Sequence, residues 1–116
     1  AMIGSKSETG LFDGTNEVFL FDGVAKNQVL ITKIMVRNED TVSASPMVRI
    51  HNNDKVGEDD EYVPLIEGLS VDVGGTVVWD LIPYLMKPTQ VLEFELPTDP
   101  TTNQPIWMIS WVELYA

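Results

Sequence analysis

A chain of 116 residues, 44% of them hydrophobic, is sized for one domain with one core. It has no cysteine, which excludes a disulfide scaffold, a thiolate zinc site and a cysteine nucleophile. Its 18 acidic residues against 7 basic ones give a net charge of −11, and the basic residues are scattered. That excludes a duplex-binding surface, which needs clustered Lys and Arg, and attraction to an anionic membrane; no apolar stretch approaches the ~20 residues of a membrane helix.

Residues 1–16 are rich in Gly, Ser, Thr and charge around one apolar pair, Leu11-Phe12. They read as a flexible N-terminal arm without a core of its own, ahead of a domain spanning 17–116. No basic region followed by an apolar run opens the chain, so no signal peptide is read. Val18 to Phe21 is a short apolar run ended by the turn pair Asp22-Gly23. Gln28 to Asn38 is rich in β-branched residues, with Leu30, Ile34 and Val36 on one face at period two and Lys33 and Arg37 on the other. Pro46 to His51 repeats the pattern, Val48 and Ile50 inward, Arg49 and His51 outward.

Asn52 to Glu61 reads as a polar loop, and Tyr62 to Ile66 as a strand that Pro64 assigns to a sheet edge. Ser70 to Val73 leads into a Gly74-Gly75 turn, Thr76 to Ile82 is a strand stopped by Pro83, and Gln90 to Leu96 alternates with Glu93 and Glu95 on its solvent side. A Pro- and Thr-rich loop precedes Ile106 to Tyr115, the longest continuous β signal. In it Ile106, Met108, Val112 and Leu114 are assigned to the core, and Trp107, Ile109, Trp111 and Tyr115 to the exterior. Short strands at even spacing, without a sustained 3.6 period, predict an all-β antiparallel sandwich of jelly-roll or Ig-like type with seven to eight strands.

No catalytic constellation accompanies these strands. His51 is the only histidine and reads as a surface residue. G-x-S-x-G, P-loop and G-x-G-x-x-G motifs are missing, so the chain is expected not to be an enzyme and to need no cofactor. Asp54, Glu58, Asp59, Asp60 and Glu61 offer oxygen ligands suited to Ca²⁺, but without EF-hand spacing they read as a solvated loop. Trp107 and Trp111 lie four residues apart on one strand, about 13 Å from each other. Three uses are open to them: core packing, a protein interface or a platform for sugar rings. Leu11, Phe12, Trp107, Trp111 and Tyr115 are thus the candidate partner-binding residues.

Several strings carry a family likeness. Val29-Leu30-Ile31-Thr32-Lys33-Ile34-Met35-Val36-Arg37-Asn38, then Ser45-Pro46-Met47-Val48-Arg49-Ile50, then Leu69 through Asp80 with Gly74, Gly75 and Thr76, then Leu85-Met86-Lys87-Pro88-Thr89-Gln90-Val91-Leu92, and the ending Met108-Ile109-Ser110-Trp111-Val112-Glu113-Leu114 together resemble the small β-sandwich virion structural proteins of tailed bacteriophages. The resemblance covers residues 17–115. It implies a virion component, such as a capsid decoration or auxiliary protein, assembled in the host cytoplasm. Such a protein binds the major capsid protein or another virion protein and forms a homo-oligomer, without nucleic acid or membrane. The alternative from another class is a carbohydrate- or receptor-binding module of a fibre or tail.

Overall fold

The computed structural model describes residues 2–21, 28–52, 62–79, 83–87 and 90–115. Every regular element among them is a strand: β1 (Met2–Leu11), β2 (Val18–Leu20), β3 (Gln28–Arg37), β4 (Met47–Asn52), β5 (Tyr62–Ile66), β6 (Thr76–Trp79), β7 (Tyr84–Met86), β8 (Gln90–Glu95) and β9 (Ile106–Tyr115). They form two antiparallel sheets. One runs β1-β9-β3-β6, with β7 also on β3, and the other runs β2-β8-β4-β5. The expected antiparallel sandwich is therefore the fold, with β1 and β7 in addition to the strands read from alternation. The turn Asp22-Gly23 and the acidic loop 54–61 lie outside the described residues.

The core lies between the sheets and joins Ile31, Ile34 and Val36 of β3 to Val48 and Ile50 of β4, Leu92 and Phe94 of β8, and Ile109 of β9. Two facing assignments are corrected. In β3 the register against β9 shifts between Ile31 and Lys33, a bulge at Thr32 whose hydroxyl donates to the Ser110 carbonyl at 3.1 Å. The extra residue reverses the parity, so Val29 and Ile31 face inward before it and Ile34 and Val36 after it. Leu30 therefore turns outward, away from Ile34 and Val36. In β9 the odd positions Trp107, Ile109 and Trp111 are buried, and Ile106, Met108, Val112 and Leu114 take the outer side.

Residues 1–16 are not a free arm. β1 pairs with β9 in an unbroken register from Met2↔Tyr115 to Leu11↔Ile106. Phe12 follows it into the core, 0% exposed, edge-on to Phe94 at 5.9 Å between ring centres. Trp107 stacks on Phe94 at 4.7 Å between ring centres and donates its indole N–H to the Leu11 carbonyl at 3.1 Å. The indole lies across Gly10, where an added Cβ would stand 2.3 Å from a ring carbon, so only glycine fits beneath it. The arm reading fails because β1 is an exposed edge strand whose Ser, Lys, Glu and Thr side chains meet water on both faces, leaving no alternation to read.

A second polar knot holds the end of the sandwich. Buried Asn38 donates its amide to the carbonyls of Val42 and Val71 and accepts the Asp40 N–H. The Asp40 carboxylate accepts backbone N–H bonds from Thr101 and Thr102 at 2.8 Å each, from Thr41 at 2.8 Å and from Asn103 at 3.2 Å. Those bonds, Thr101's first, hold its pKa down to about 2 against the opposing effect of burial. The Pro-rich loop is thus tied to the β3 end. β5 lies at a sheet edge, as Pro64 predicts.

Phe12→Ala is expected to destabilise the domain by about 3–5 kcal/mol, as buried Phe truncations do, read by urea or thermal unfolding. Deleting residues 2–11 is expected to lower the melting temperature steeply. An unchanged melting curve after that deletion would restore the free arm.

Candidate interaction surface

The outer face of the five-stranded sheet is built by the parity just described. Registers across β1, β9, β3 and β6 or β7 set the outward positions in rows. Thr9, Met108, Met35 and Val78 form one row, and Ser5, Val112, Leu30 and Leu85 another. Ser7, Ser110 and Lys33 lie between them, and Leu11, Ile106 and Arg37 close one end. Leu11, Val78 and Leu85 are exposed, Leu11 at 55%, and the β3 and β9 members are half-buried against each other. Among the described residues, no Asp or Glu occupies an outward strand position on this face, in a chain carrying 18 of them. Its charges are Lys33 and Arg37, and Arg37 is ion-paired with Glu39 beyond the strand.

The outer face of the four-stranded sheet is the opposite. Arg49 lies 4.3 Å over the Tyr62 ring and 2.7 Å from Glu67. His51 Nε2 meets Glu93 Oε1 at 3.0 Å, and both side chains are buried. Glu17, Glu93 and Glu95 bring carboxylate oxygens within 4.8 Å of one another. Burial raises the Glu93 pKa, a shared hydrogen bond with Glu17 raises it further, and His51 opposes both, leaving it at about 7. Burial also raises Glu95. His51 and Glu93, expected on the solvent side, do project from that side of the sheet but are sealed there as a pair.

Of the candidate partner-binding residues, Leu11 is on the surface. Phe12 is in the core, and Trp107 and Trp111 are 5% and 7% exposed. Trp111 packs edge-on against Phe21 at 5.1 Å and donates its indole N–H to Glu113 at 3.1 Å. Trp79 is partly buried against the same core. Trp107 and Trp111 therefore form neither a sugar platform nor an interface, because the large rings are what fill the space between the sheets. Tyr115 ends β9 opposite Met2. The surface that sequence reasoning missed is aliphatic: Leu30, Met35, Val78, Leu85, Met108 and Val112. Its signal was present in β9, where nearly every position is apolar and one face had to remain outside.

No family model matches the chain, and no curated protein matches it. Solved structures do share its fold. It is similar to the Drosophila NLP core, whose structure concerns pentamer formation and histone binding, with TM-score 0.57 and 14% identity over 99% of this chain and 100% of that one. It is similar to a chain of the acid-stable capsid of Helicobacter pylori bacteriophage KHP30, with TM-score 0.53 and 12% identity over 100% and 90%. It also overlaps the CBM22-1–GH10 modules of Clostridium thermocellum xylanase 10B, with TM-score 0.49 and 9% identity over 98% of this chain and 27% of that one. At these identities the likeness is one of fold: an antiparallel β-sandwich of a kind found in oligomeric and capsid structures.

The buried carboxyl gives a pH dependence. A Glu with its folded pKa raised from 4.5 to about 7 stabilises the fold fully below 4.5, and that contribution is lost as pH rises toward 7. Glu17, Glu95 and His51 lie beside it, so the informative quantity is the difference from Glu93→Gln. That variant is expected to unfold roughly 1–3 kcal/mol less readily than the parent at pH 8, and the gap is expected to close by pH 5. Parallel stability curves for the two proteins would show that Glu93 is not held protonated.

Proposed function

We propose that this chain is a structural component of a tailed-phage virion, a capsid decoration or auxiliary protein that binds assembled head protein and self-associates, without catalytic activity. The observation that carries the reading is the acid-free aliphatic face of the five-stranded sheet. Soluble monomers rarely leave an apolar patch that spans a sheet, and interface cores are depleted of charge in the way this face is. The likeness in fold to a phage capsid chain, and to a pentamer-forming core, supports a sandwich of this size working as one of many copies. The sequence strings that resemble virion proteins fall on β3, β4, β6, β7, β8 and β9, strands that build the sandwich.

The geometry sets the chemistry of the partner. Two apolar rows flank a central strip of Ser7, Ser110 and Lys33, so the complementary surface is apolar with a hydrogen-bonding or acidic centre. Binding draws on apolar burial rather than on net charge, which is negative on this chain.

Electron microscopy of particles carrying the protein is expected to show it on the head with this sheet facing the shell. Val78→Glu/Leu85→Glu alters two exposed positions, one in each apolar row. It is expected to weaken co-sedimentation with empty heads by at least about tenfold, or 1.4 kcal/mol, with the melting temperature nearly unchanged. Normal attachment of the double variant, or density confined to the tail, would overturn the reading.

A further inference from the structure

We propose that two copies of this chain join edge to edge through β1, antiparallel about a two-fold axis at Ser7, so that their five-stranded sheets become one. This specifies the self-association in the reading above and rests on that part of it alone.

The sandwich has four edges, and they are not alike. β2 is three residues long, β5 carries Pro64 and a register shift opposite β4, and the β3 side is closed by two short strands, β6 and β7, end to end. Each is a poor template for another strand. β1 is ten residues long, has no proline, keeps an unbroken register with β9, and is exposed from Ser5 to Thr9. No described strand covers its other side.

Backbone direction is fixed as well. The Phe12 N–H bonds the Pro105 carbonyl, which continues the β1–β9 register. Even positions of β1 therefore turn their N–H and C=O toward β9, and Ile3, Ser5, Ser7 and Thr9 turn theirs to the open side.

The register follows from charge. In an antiparallel pairing of β1 with itself that keeps the two sheet faces continuous, an axis at Lys6 sets Lys6 against Lys6, and an axis at Glu8 sets Glu8 against Glu8. An axis at Ser7 sets Lys6 of each copy against Glu8 of the other, in the wide pairs where side chains are closest. The same axis sets Ile3 against Leu11, Ser5 against Thr9 and Gly4 against Gly10. Hydrophobic, hydroxyl and small positions each meet their own kind. Lys6 already reaches Glu113 of its own chain at 3.3 Å, and its ammonium carries three donors. The outcome is an isologous seam, as two-fold symmetry requires.

This chain allows a direct test because it has no cysteine of its own. In the proposed seam the two residues at position 7 form a narrow pair about 5.5 Å apart at Cα, inside the range that a disulfide spans. The two residues at position 5 are roughly 13 Å apart. Under mild oxidation Ser7→Cys is expected to give a covalent dimer on non-reducing gels. Ser5→Cys is expected to stay monomeric alone and to link when mixed with Thr9→Cys. A Ser7→Cys protein that does not link, or a Ser5→Cys protein that links as readily, would overturn the proposal. Sedimentation velocity supplies the second arm. Glu8→Lys is expected to raise the dimer dissociation constant at least about tenfold, and Lys6→Glu/Glu8→Lys is expected to restore it. A Glu8→Lys protein that sediments like the parent overturns the register. These measurements use purified protein and head attachment reads the outer face, so a dimer that ignores heads and a monomer that binds them are separate failures.

Discussion

A strand that is apolar at nearly every position can bury only one of its faces in a two-layer sandwich, and β9 is such a strand. Its odd face supplies Trp107, Ile109 and Trp111 to the space between the sheets. Its even face, Ile106, Met108, Val112 and Leu114, is thereby committed to the exterior. Everything distinctive about the outer surface follows from that division. β3 lies beside β9 and β1 lies on its other side, so their outward residues align with the even positions into rows. An apolar patch here is a by-product of topology only if nothing covers it. The complete avoidance of Asp and Glu along these rows, in so acidic a chain, is a second and independent bias in the same direction.

Much of the fold was legible in the sequence, and the failures have identifiable causes. β3, β4, β8 and β9 were readable as strands because a half-buried strand imposes alternation or a β-branched run. Facing was not readable in β9, where both faces are apolar; the decision between them rests on Gly10, a residue 97 positions away. Only a glycine at that register lets the Trp107 ring lie inward and reach the Leu11 carbonyl. Facing in β3 failed for a different reason: one unpaired residue at Thr32 reverses every later side chain, and a bulge has no signature in the hydropathy pattern. β1 was missed because propensity and periodicity both report burial, and an edge strand wet on both faces has little to report. Among the candidate binding residues, the outward assignment of Trp107 and Trp111 fails with the facing of β9, and that of Phe12 fails with the arm reading. Leu11, at the end of β1, was the exception.

The two outer faces divide the polar chemistry between them. The four-stranded sheet carries Arg49, His51, Glu17, Glu93 and Glu95, of which His51 and Glu93 are buried against each other, while Arg49 pairs with Glu67 and the Tyr62 ring. Removing charges from water is unfavourable unless they are paired or neutralised, and the raised pKa of Glu93 is that penalty expressed as a retained proton. This arrangement adds little to stability near neutral pH. It does concentrate ionisable groups on the side away from the apolar rows. The molecule consequently has a polarity normal to its sheets, which a free monomer does not need and an oriented one can use.

Net charge opposes association of such a chain, since −11 per copy repels. The repulsion that matters at contact is local, however. At physiological ionic strength exposed charges beyond about 8 Å are largely screened. On the outer face itself the charges that the described strands present are Lys33 and Arg37, with Arg37 tied to Glu39. The acidic surplus then acts at long range and low salt, where it keeps free copies apart in solution, and loses force at the approach of a matching surface. The proposed role, a protein that stays soluble until it meets its site and then holds to it by apolar contact, is served by this separation of charge from the aliphatic face.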